Sequence, residues 1–300
     1  MRLGFYTACL SDVPLPDVFR WAGQNGFGAL EIDAGIRADA EGPYKGASIH
    51  AEAITRESAD ALRQLARQNN LTISCVTYCD NMLDSDLAER EKRVQHLLKV
   101  IEAAALLNVD VVSCFVGRDK TKDLEGNYGV FKEVFAPIMS AAASSGVRIA
   151  VENCPGDWLY EGLVGNVAHS PLVWRRLFEI YPDIGLNFDP SHLVWQGIDH
   201  CKAAAEFARR IYHVHAKDTE IFESVLADRG ILAPRKPRWW RYRVPGFGVI
   251  DWARFVSVLA EGGYNGPLSI EQEDPVWRGS EDRVKEGLLL GRKHLEELVT

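Results

Sequence analysis

One stretch in the middle of the chain shows the order strand, helix, strand. It begins with Arg148-Ile-Ala-Val-Glu152, continues through Pro171-Leu-Val-Trp-Arg-Arg-Leu-Phe-Glu-Ile-Tyr181, and ends with Ile184-Gly-Leu-Asn-Phe-Asp189. The first and last segments are short and almost continuously apolar, which is typical of strands covered on both faces in a parallel sheet. The middle segment has apolar residues at helical spacing. The stretch therefore predicts a β–α–β unit in which both strands end in a carboxylate.

The same alternation extends in both directions along the chain. Strands are predicted at Leu3–Thr7, Ala29–Asp33, Thr72–Thr77, Val111–Val116, Arg148–Glu152, Ile184–Asp189, Ile211–Ala216 and Pro267–Glu271. Helices are predicted at Ser58–Asn69, Asp86–Leu107, Tyr128–Ser144, Pro171–Tyr181, Asp199–Ala208, Asp251–Gly262 and Glu281–Leu298. Asn25-Gly26, Ser145-Gly146 and Gly262-Gly263 stand where helix C-caps are expected.

Eight such units in 300 residues predict an α/β fold, a (β/α)₈ TIM barrel that forms one domain over residues 1–300. A doubly wound open sheet is the alternative. It is disfavoured because no Gly-rich phosphate-binding turn follows the first strand.

Composition excludes several classes of partner. The formal net charge is −8 and no basic run is long enough to follow a phosphate backbone, so we expect no nucleic-acid partner. No signal-peptide pattern follows Met1, and no apolar run approaches the ~20 residues that span a bilayer. The six cysteines show no paired spacing. We therefore expect a cytoplasmic homo-oligomer with reduced thiols and no membrane partner.

Four consecutive strands end in groups that can bind a metal. Glu152, Asp189 and Glu271 close three strands, and His215 lies near the end of another. Glu31 occupies the matching place on the second strand. Since the carboxyl ends of barrel strands meet at one mouth, three carboxylates there would repel each other unless a cation neutralises them. This oxygen-rich set with one imidazole suits a divalent metal, Mn²⁺ first, with Mg²⁺, Co²⁺ or Zn²⁺ as alternatives.

Four motifs at these strand ends resemble those of the xylose isomerase-like barrel superfamily, the sugar phosphate isomerase/epimerase group. They are Val151-Glu-Asn153, Asn187-Phe-Asp-Pro-Ser-His192, His213-Val-His-Ala-Lys-Asp218 and Ser269-Ile-Glu-Gln-Glu-Asp274. The resemblance implies that Glu152, Asp189, His215 and Glu271 are metal ligands. It also implies that Glu152 and Glu271 are the acid/base carboxylates, and that His192 contacts substrate or metal-bound water.

The third motif looks closest to the version found in inosose dehydratase and its relatives. Two departures weaken a literal ketose 3-epimerase assignment. The 3-epimerases have an Arg six residues after the His ligand, where this chain has Ile221. They have a Glu six residues after the first ligand, where this chain has Trp158.

The first chemical step is common to several reactions in this superfamily. A metal that chelates a carbonyl oxygen and its neighbouring hydroxyl acidifies the C–H bond between them, and two carboxylates can then remove and return the proton. We expect a sugar isomerase or epimerase first. A lyase or dehydratase acting on a keto-inositol or a 3-keto-glycoside is the close alternative. A DNA-cleaving enzyme of the endonuclease IV branch and a barrel that binds without turnover are the more distant alternatives.

Substrate contacts are expected from His192, Lys217, Trp158, Trp240 and Arg241. The last two belong to the long segment Thr219–Val249, which we interpret as a lid, with a subunit contact as the alternative. Aromatic and Arg side chains there suit sugar recognition. His192 could instead be a structural hydrogen-bond donor, and Lys217 could belong to a surface salt bridge. We expect His213 to face away from the barrel interior. No Gly-rich phosphate cradle is evident, which favours a non-phosphorylated substrate.

Overall fold

Eight parallel strands close into a barrel in the computed structural model, which describes residues 1–36, 42–46, 48–156, 164–231 and 238–299. Each strand pairs in parallel with the next along the chain, and the first pairs with the last, so that the sheet has no open side. The strands are β1 (Leu3–Tyr6), β2 (Ala29–Asp33), β3 (Thr72–Tyr78), β4 (Val111–Cys114), β5 (Arg148–Glu152), β6 (Gly185–Phe188), β7 (Ile211–Ala216) and β8 (Leu268–Ile270). The predicted (β/α)₈ barrel is confirmed.

Helices surround the barrel and supply the outer half of its core. They are α1 (Leu15–Gln24), α2 (Arg56–Gln68), α3 (Leu87–Leu107), α4 (Leu124–Ser145), α5 (Pro171–Ile180), α6 (Pro190–Trp195), α7 (His200–Glu206), α8 (Glu223–Arg229), α9 (Trp252–Glu261) and α10 (Glu281–Leu295). The apolar layer between strands and helices is closely packed. In it the ring of Phe188 lies 5.9 Å from that of Trp174 and 5.8 Å from that of Phe255. Gly146, at φ 69°, ends α4 in the left-handed conformation that its sequence position predicts.

Helix α6 was not expected from the sequence, and α1 was expected only through its C-cap position at Asn25-Gly26. Helix α1 contains Pro16 in its first turn, where the missing N–H costs nothing, so the proline does not prevent a helix. Helix α6 begins directly after β6, and the Asp189 carboxylate caps it by accepting a hydrogen bond from the Ser191 N–H. This short helix carries His192 to the mouth of the barrel.

The segment after β7 is folded rather than extended. Strand Asp218–Ile221 pairs antiparallel with strand Trp240–Arg243, and α8 lies between them in sequence. We call this pair of strands the β7 hairpin. Its action as a lid stays a prediction. Within the described residues, no helix combines the length and the apolar character that crossing a membrane requires.

Candidate metal and active site

The four candidate ligands lie together at the mouth of the barrel. Glu152 is the last residue of β5, His215 lies in β7, and Asp189 and Glu271 directly follow β6 and β8. One ligand atom from each lies within 4.8 Å of all the others. Three of the side chains are fully or almost fully buried, whereas Glu271 keeps 14% of its side chain exposed. The cluster is therefore open to solvent on the side of Glu271.

Two atoms of the cluster lack the partner that a buried polar atom normally has. Asp189 Oδ2 and His215 Nδ1 are buried and make no hydrogen bond to any described residue, although the Lys217 ammonium lies 3.1 Å from Asp189 Oδ2 as an ion-pair partner. The imidazole nitrogen lies 3.1 Å from Glu271 Oε2 without hydrogen-bond geometry. Such atoms are costly unless something satisfies them. A divalent cation between them would do so, and three carboxylates with one imidazole are a suitable donor set. The residues present therefore fit a metal ion.

A fourth carboxylate, that of Glu31 from β2, lies on the opposite side of the His215 ring. His215 Nε2 is 2.9 and 3.0 Å from its two oxygens. The Thr77 and Ser269 hydroxyls donate to those oxygens over 2.5 and 2.6 Å. Burial would raise the pKa of Glu31, but the nearby His215 and His213 and the hydrogen bonds from His215 and Ser269 hold it below its ordinary value. Burial alone would lower the pKa of His215, yet the surrounding carboxylates raise it well above its ordinary value.

Lys217 brings a positive charge into the same cluster. Its Nζ lies 2.6 Å from Glu271 Oε2, 3.1 Å from Asp189 Oδ2 and 3.1 Å from Glu273 Oε2, and 1% of the side chain is exposed. Burial would lower the pKa of the ammonium, but these carboxylates raise it well above its ordinary value. Burial also opposes ionisation of Glu271, whereas Lys217 and His215 hold the pKa of that carboxyl well below its ordinary value. Lys217 is thus a permanent cation and not a nucleophilic amine.

His192 lies between the cluster and the β7 hairpin. Its Nε2 is 3.3 Å from Glu152 Oε1, from Asp189 Oδ2 and from Lys217 Nζ. On its other side, Nδ1 is hydrogen-bonded to the Tyr242 hydroxyl at 2.7 Å. The Lys217 ammonium also lies 4.4 Å from the centre of the Tyr242 ring, a cation–π distance. Three protic side chains therefore adjoin the predicted ligands.

The Trp240 ring already makes a stacking contact and a cation–π contact with neighbouring side chains. Its ring stacks on that of Trp195 from α6, with centroids 4.6 Å apart and planes 4° from parallel. The Arg238 guanidinium lies 4.7 Å from the ring centre. With 5% of its surface exposed, Trp240 connects the β7 hairpin to the helix that carries His192. Stacking of a sugar on Trp240 stays a prediction.

The Arg241 guanidinium contacts side chains of its own segment, the β7 hairpin and the residue that follows its first strand. It is paired with Glu220 at 2.7 Å, and its guanidinium lies 5.3 Å from the centre of the Phe222 ring. Its predicted contact with substrate stays a prediction. Trp158 lies outside the described residues, so its predicted role has no structural counterpart here.

The orientation of His213 differs from the expectation that it faces away from the barrel interior. It faces the barrel interior and not the outside, because its Nδ1 lies 3.1 Å from the Asn187 amide oxygen and its Nε2 lies 3.2 Å from Ser74 Oγ. The Asn187 amide also reaches His215 at 3.0 Å. Residues two apart on a strand share a face, and the interior here holds both imidazoles in successive layers. Burial lowers the pKa of His213 to about 4, so this ring is neutral.

Sequence reasoning missed two members of the site. Glu273 lies two residues after Glu271, beyond the end of β8, and its proximity to Lys217 depends on the path of that loop. Tyr242 lies two residues from Trp240 along one strand, so strand periodicity assigns both side chains to the same face.

A small cavity opens beside Glu271. Its volume is about 120 Å³, and Tyr6, Cys9, Glu273 and Arg278 are among its lining residues. Pockets for drug-sized ligands occupy ~300–1,000 Å³, so this cavity suits a small polar molecule.

Comparison with known proteins agrees with this architecture. Residues 19–294 match the family model described as Xylose isomerase-like TIM barrel. The chain is 27% identical over 305 residues to the uncharacterized protein YfiH of Bacillus subtilis (strain 168), covering 91% of this chain and 93% of that one. It is 36% identical over 224 residues to an inosose dehydratase of Clostridium perfringens (strain 13 / Type A), covering 72% and 74% of the two chains.

Solved structures share the fold at lower identity. A structure of the IOLI protein with a bound zinc atom superposes with a TM-score of 0.70 at 19% identity, covering 100% of this chain and 98% of that one. A structure of L-ribulose 3-epimerase gives a TM-score of 0.72 at 17% identity, covering 99% and 94%. The match of the family model over most of the chain, together with the closed barrel, shows that this protein belongs to the xylose isomerase-like TIM-barrel family.

Proposed function

We propose that this protein is a divalent-metal-dependent enzyme that removes a proton next to the carbonyl group of a small keto-sugar or keto-cyclitol and then expels a hydroxyl group as water. The observation that carries the proposal is the cluster of Glu152, Asp189, His215 and Glu271, with its two buried atoms that lack hydrogen-bond partners. Mn²⁺ is the metal we expect, with Mg²⁺, Co²⁺ and Zn²⁺ as alternatives. The small cavity beside Glu271 supports a substrate of monosaccharide size.

Glu271 is the base that the geometry favours. It is the most exposed of the four predicted ligands and lines the cavity. Its low pKa keeps it ionised, so it can accept a proton from a substrate carbon beside it. A bound divalent cation would stabilise the negative charge that develops on the substrate oxygens. Glu152 has a carboxylate oxygen within 4.8 Å of one of Glu271, and this second carboxylate could return a proton.

The protic groups next to Glu271 support elimination of water. A leaving hydroxyl needs a proton as its C–O bond breaks. Lys217 lies 2.6 Å from Glu271, and His192 lies 3.3 Å from Lys217, so two donors stand beside the base. Lys217 can donate a hydrogen bond to the departing oxygen, and His192 with Tyr242 can pass a proton to it. The 36%-identical inosose dehydratase independently supports this outcome.

Isomerisation or epimerisation is the second candidate, and it shares the first step. It requires that the proton return to carbon, on the opposite face or at the adjacent carbon. The presence of two neighbouring carboxylates, Glu152 and Glu271, supports it, as does the fold shared with L-ribulose 3-epimerase. The two outcomes differ in whether the product has lost water.

The test is incubation of the Mn²⁺-loaded protein with keto-inositols and ketoses in D₂O, followed by mass spectrometry. Loss of water from a keto-polyol supports the dehydratase. Deuterium uptake into a product of unchanged formula supports the isomerase or epimerase instead. Glu271→Gln should abolish either reaction, and Glu133→Gln, an exposed carboxylate on α4, should not. Full turnover by Glu271→Gln, or turnover that survives complete removal of metal, would contradict the proposal.

A further inference from the structure

The position of Glu31 fixes how the His215 ring is turned. His215 Nε2 faces the Glu31 carboxylate at 2.9 and 3.0 Å. Its Nδ1 therefore lies on the opposite side of the ring, 3.1 Å from Glu271 and 3.6 Å from Glu152. The imidazole that binds a metal is the neutral form, which carries its hydrogen on one nitrogen and a lone pair on the other. Only a nitrogen with a free lone pair can bind a metal, so the position of this hydrogen decides whether His215 is a competent ligand.

The contacts of Glu31 indicate where that hydrogen is. Thr77 and Ser269 each donate a hydroxyl hydrogen to a different oxygen of Glu31, over 2.5 and 2.6 Å. These short distances are typical of hydroxyls that donate to an ionised carboxylate. His215 Nε2 lies almost equally far from both oxygens, as a donor shared between them does. Both carboxylate oxygens are acceptors here, so the imidazole nitrogen supplies the hydrogen. Asn187 Nδ2 also lies 3.0 Å from this nitrogen, but it donates to Ser113 Oγ at 2.9 Å, so the Glu31 oxygens are the acceptors for the Nε2 hydrogen.

We propose that Glu31 is a positioning residue that holds the His215 hydrogen on Nε2 and so keeps the Nδ1 lone pair directed at the metal site. The inference rests on the metal dependence in the proposed function. Glu31 and His215 are separated by 184 positions and lie on β2 and β7, so the contact crosses the barrel interior. A carboxylate or carbonyl on the second nitrogen of a ligating His fixes its tautomer and raises its basicity in many metal sites.

Glu31→Gln tests the role with little change in shape. Loss of such a partner commonly weakens metal binding 10- to 100-fold, and we expect the Kd for Mn²⁺, measured by isothermal titration calorimetry, to rise by that factor. The matched control is Asp33→Asn. Asp33 is a buried carboxylate on the same strand, it accepts a hydrogen bond from Tyr6, and its variant should bind Mn²⁺ as wild type does. An unchanged Kd in Glu31→Gln overturns the inference.

A second measurement uses the unmodified protein, so it does not depend on the folding of the variant. In Zn²⁺-loaded protein labelled with ¹⁵N-histidine, His215 should give a metal-bound Nδ1 signal and a protonated Nε2 signal, assigned by their loss in His215→Gln. A metal-bound Nε2 or a protonated Nδ1 overturns the inference. Failure of the wild type to bind any divalent metal would overturn the proposed function as well, whereas equal binding by wild type and Glu31→Gln would overturn only the role of Glu31.

Discussion

Lys217 places a full positive charge inside the protein, among groups that would otherwise repel each other. Asp189, Glu271 and Glu273 all lie within 3.1 Å of its ammonium group. A metal ion at the predicted site would share two of these carboxylates with Lys217. Lys217 therefore has two opposite effects: it stabilises the carboxylates in the absence of metal, and it competes with a metal for their charge.

Lys217→Met separates these effects. Removal of one partner from a buried ionic group typically costs about 3–5 kcal/mol, so the metal-free variant should unfold at a markedly lower temperature. Because the competing cation is gone, Mn²⁺ should bind at least about tenfold more tightly, and turnover should fall by at least about 100-fold. Calorimetry and thermal unfolding with and without Mn²⁺ measure the first two effects.

The matched control for this variant is Lys202→Met, because Lys202 is an exposed lysine on α7. It should change neither metal affinity nor turnover. The opposite signs expected for Lys217→Met and Glu31→Gln make the pair informative. If both variants weakened Mn²⁺ binding equally, general damage to the site would explain them, and the competition assigned to Lys217 would be wrong.

At the scale of elements, the β7 hairpin and helix α6 form one unit at the mouth of the barrel. The Trp195–Trp240 stack joins them, and Tyr242 from the hairpin is hydrogen-bonded to His192 from the helix. A change in the order or in the position of the hairpin would therefore also change the contacts of His192. This arrangement gives Trp240 a structural function in addition to any contact with substrate.

A double-mutant cycle tests that connection. We expect Trp195→Ala and Trp240→Ala each to lower the free energy of unfolding, and their coupling energy to be about 0.5–1.5 kcal/mol, the usual range for an aromatic pair. Chemical denaturation of the wild type, both single variants and the double variant gives this energy. Strictly additive effects, with Trp240→Ala changing only KM, would show that Trp240 serves substrate and not the joint between the elements.

An element could be predicted from the sequence where the residues of that element alone determine its conformation. Strands β2, β5 and β7 were predicted with their observed bounds because short segments rich in apolar residues, set between polar loops, define them. Helix α6 was missed because six residues are too few for an apolar periodicity, and its start depends on the Asp189 cap. The β7 hairpin was missed because its strands are polar and α8 separates them in sequence.

On the scale of the whole molecule, closure of the barrel makes contacts that no local pattern contains. The ends of β5 to β8 meet because the sheet is closed, so the four predicted ligands follow from fold and strand position together. The partners of those ligands do not follow. The pairing of Glu31 with His215 depends on side-chain lengths and rotamers across the interior, and the pairing of Lys217 with Glu273 depends on a loop.

The stability of the barrel should also depend on pH through a histidine that is not a member of the metal cluster. His200, at the start of α7, has its Nε2 buried with no hydrogen-bond partner among the described residues, and its ring packs against Phe255 with centroids 5.7 Å apart. Burial lowers the pKa of this imidazole below its ordinary value, and the nearby Arg254 opposes its protonation further, although Asp199 favours it.

The sign of the effect follows from which state takes up the proton. As pH falls below about 6.5, His200 in the unfolded chain becomes protonated while His200 in the folded protein stays neutral, so the unfolded state is favoured. Stability should be fully present above that pH and should decline below it, by at most about 1.4 kcal/mol per pH unit for one proton.

His200→Gln cannot take up this proton, so its free energy of unfolding, from denaturation at pH 8, 7, 6 and 5, should decline less steeply than that of the wild type. The difference at pH 8 reports packing alone and serves as the control. Parallel curves for the two proteins from pH 8 to 5 would mean that His200 titrates alike in both states, in conflict with its burial.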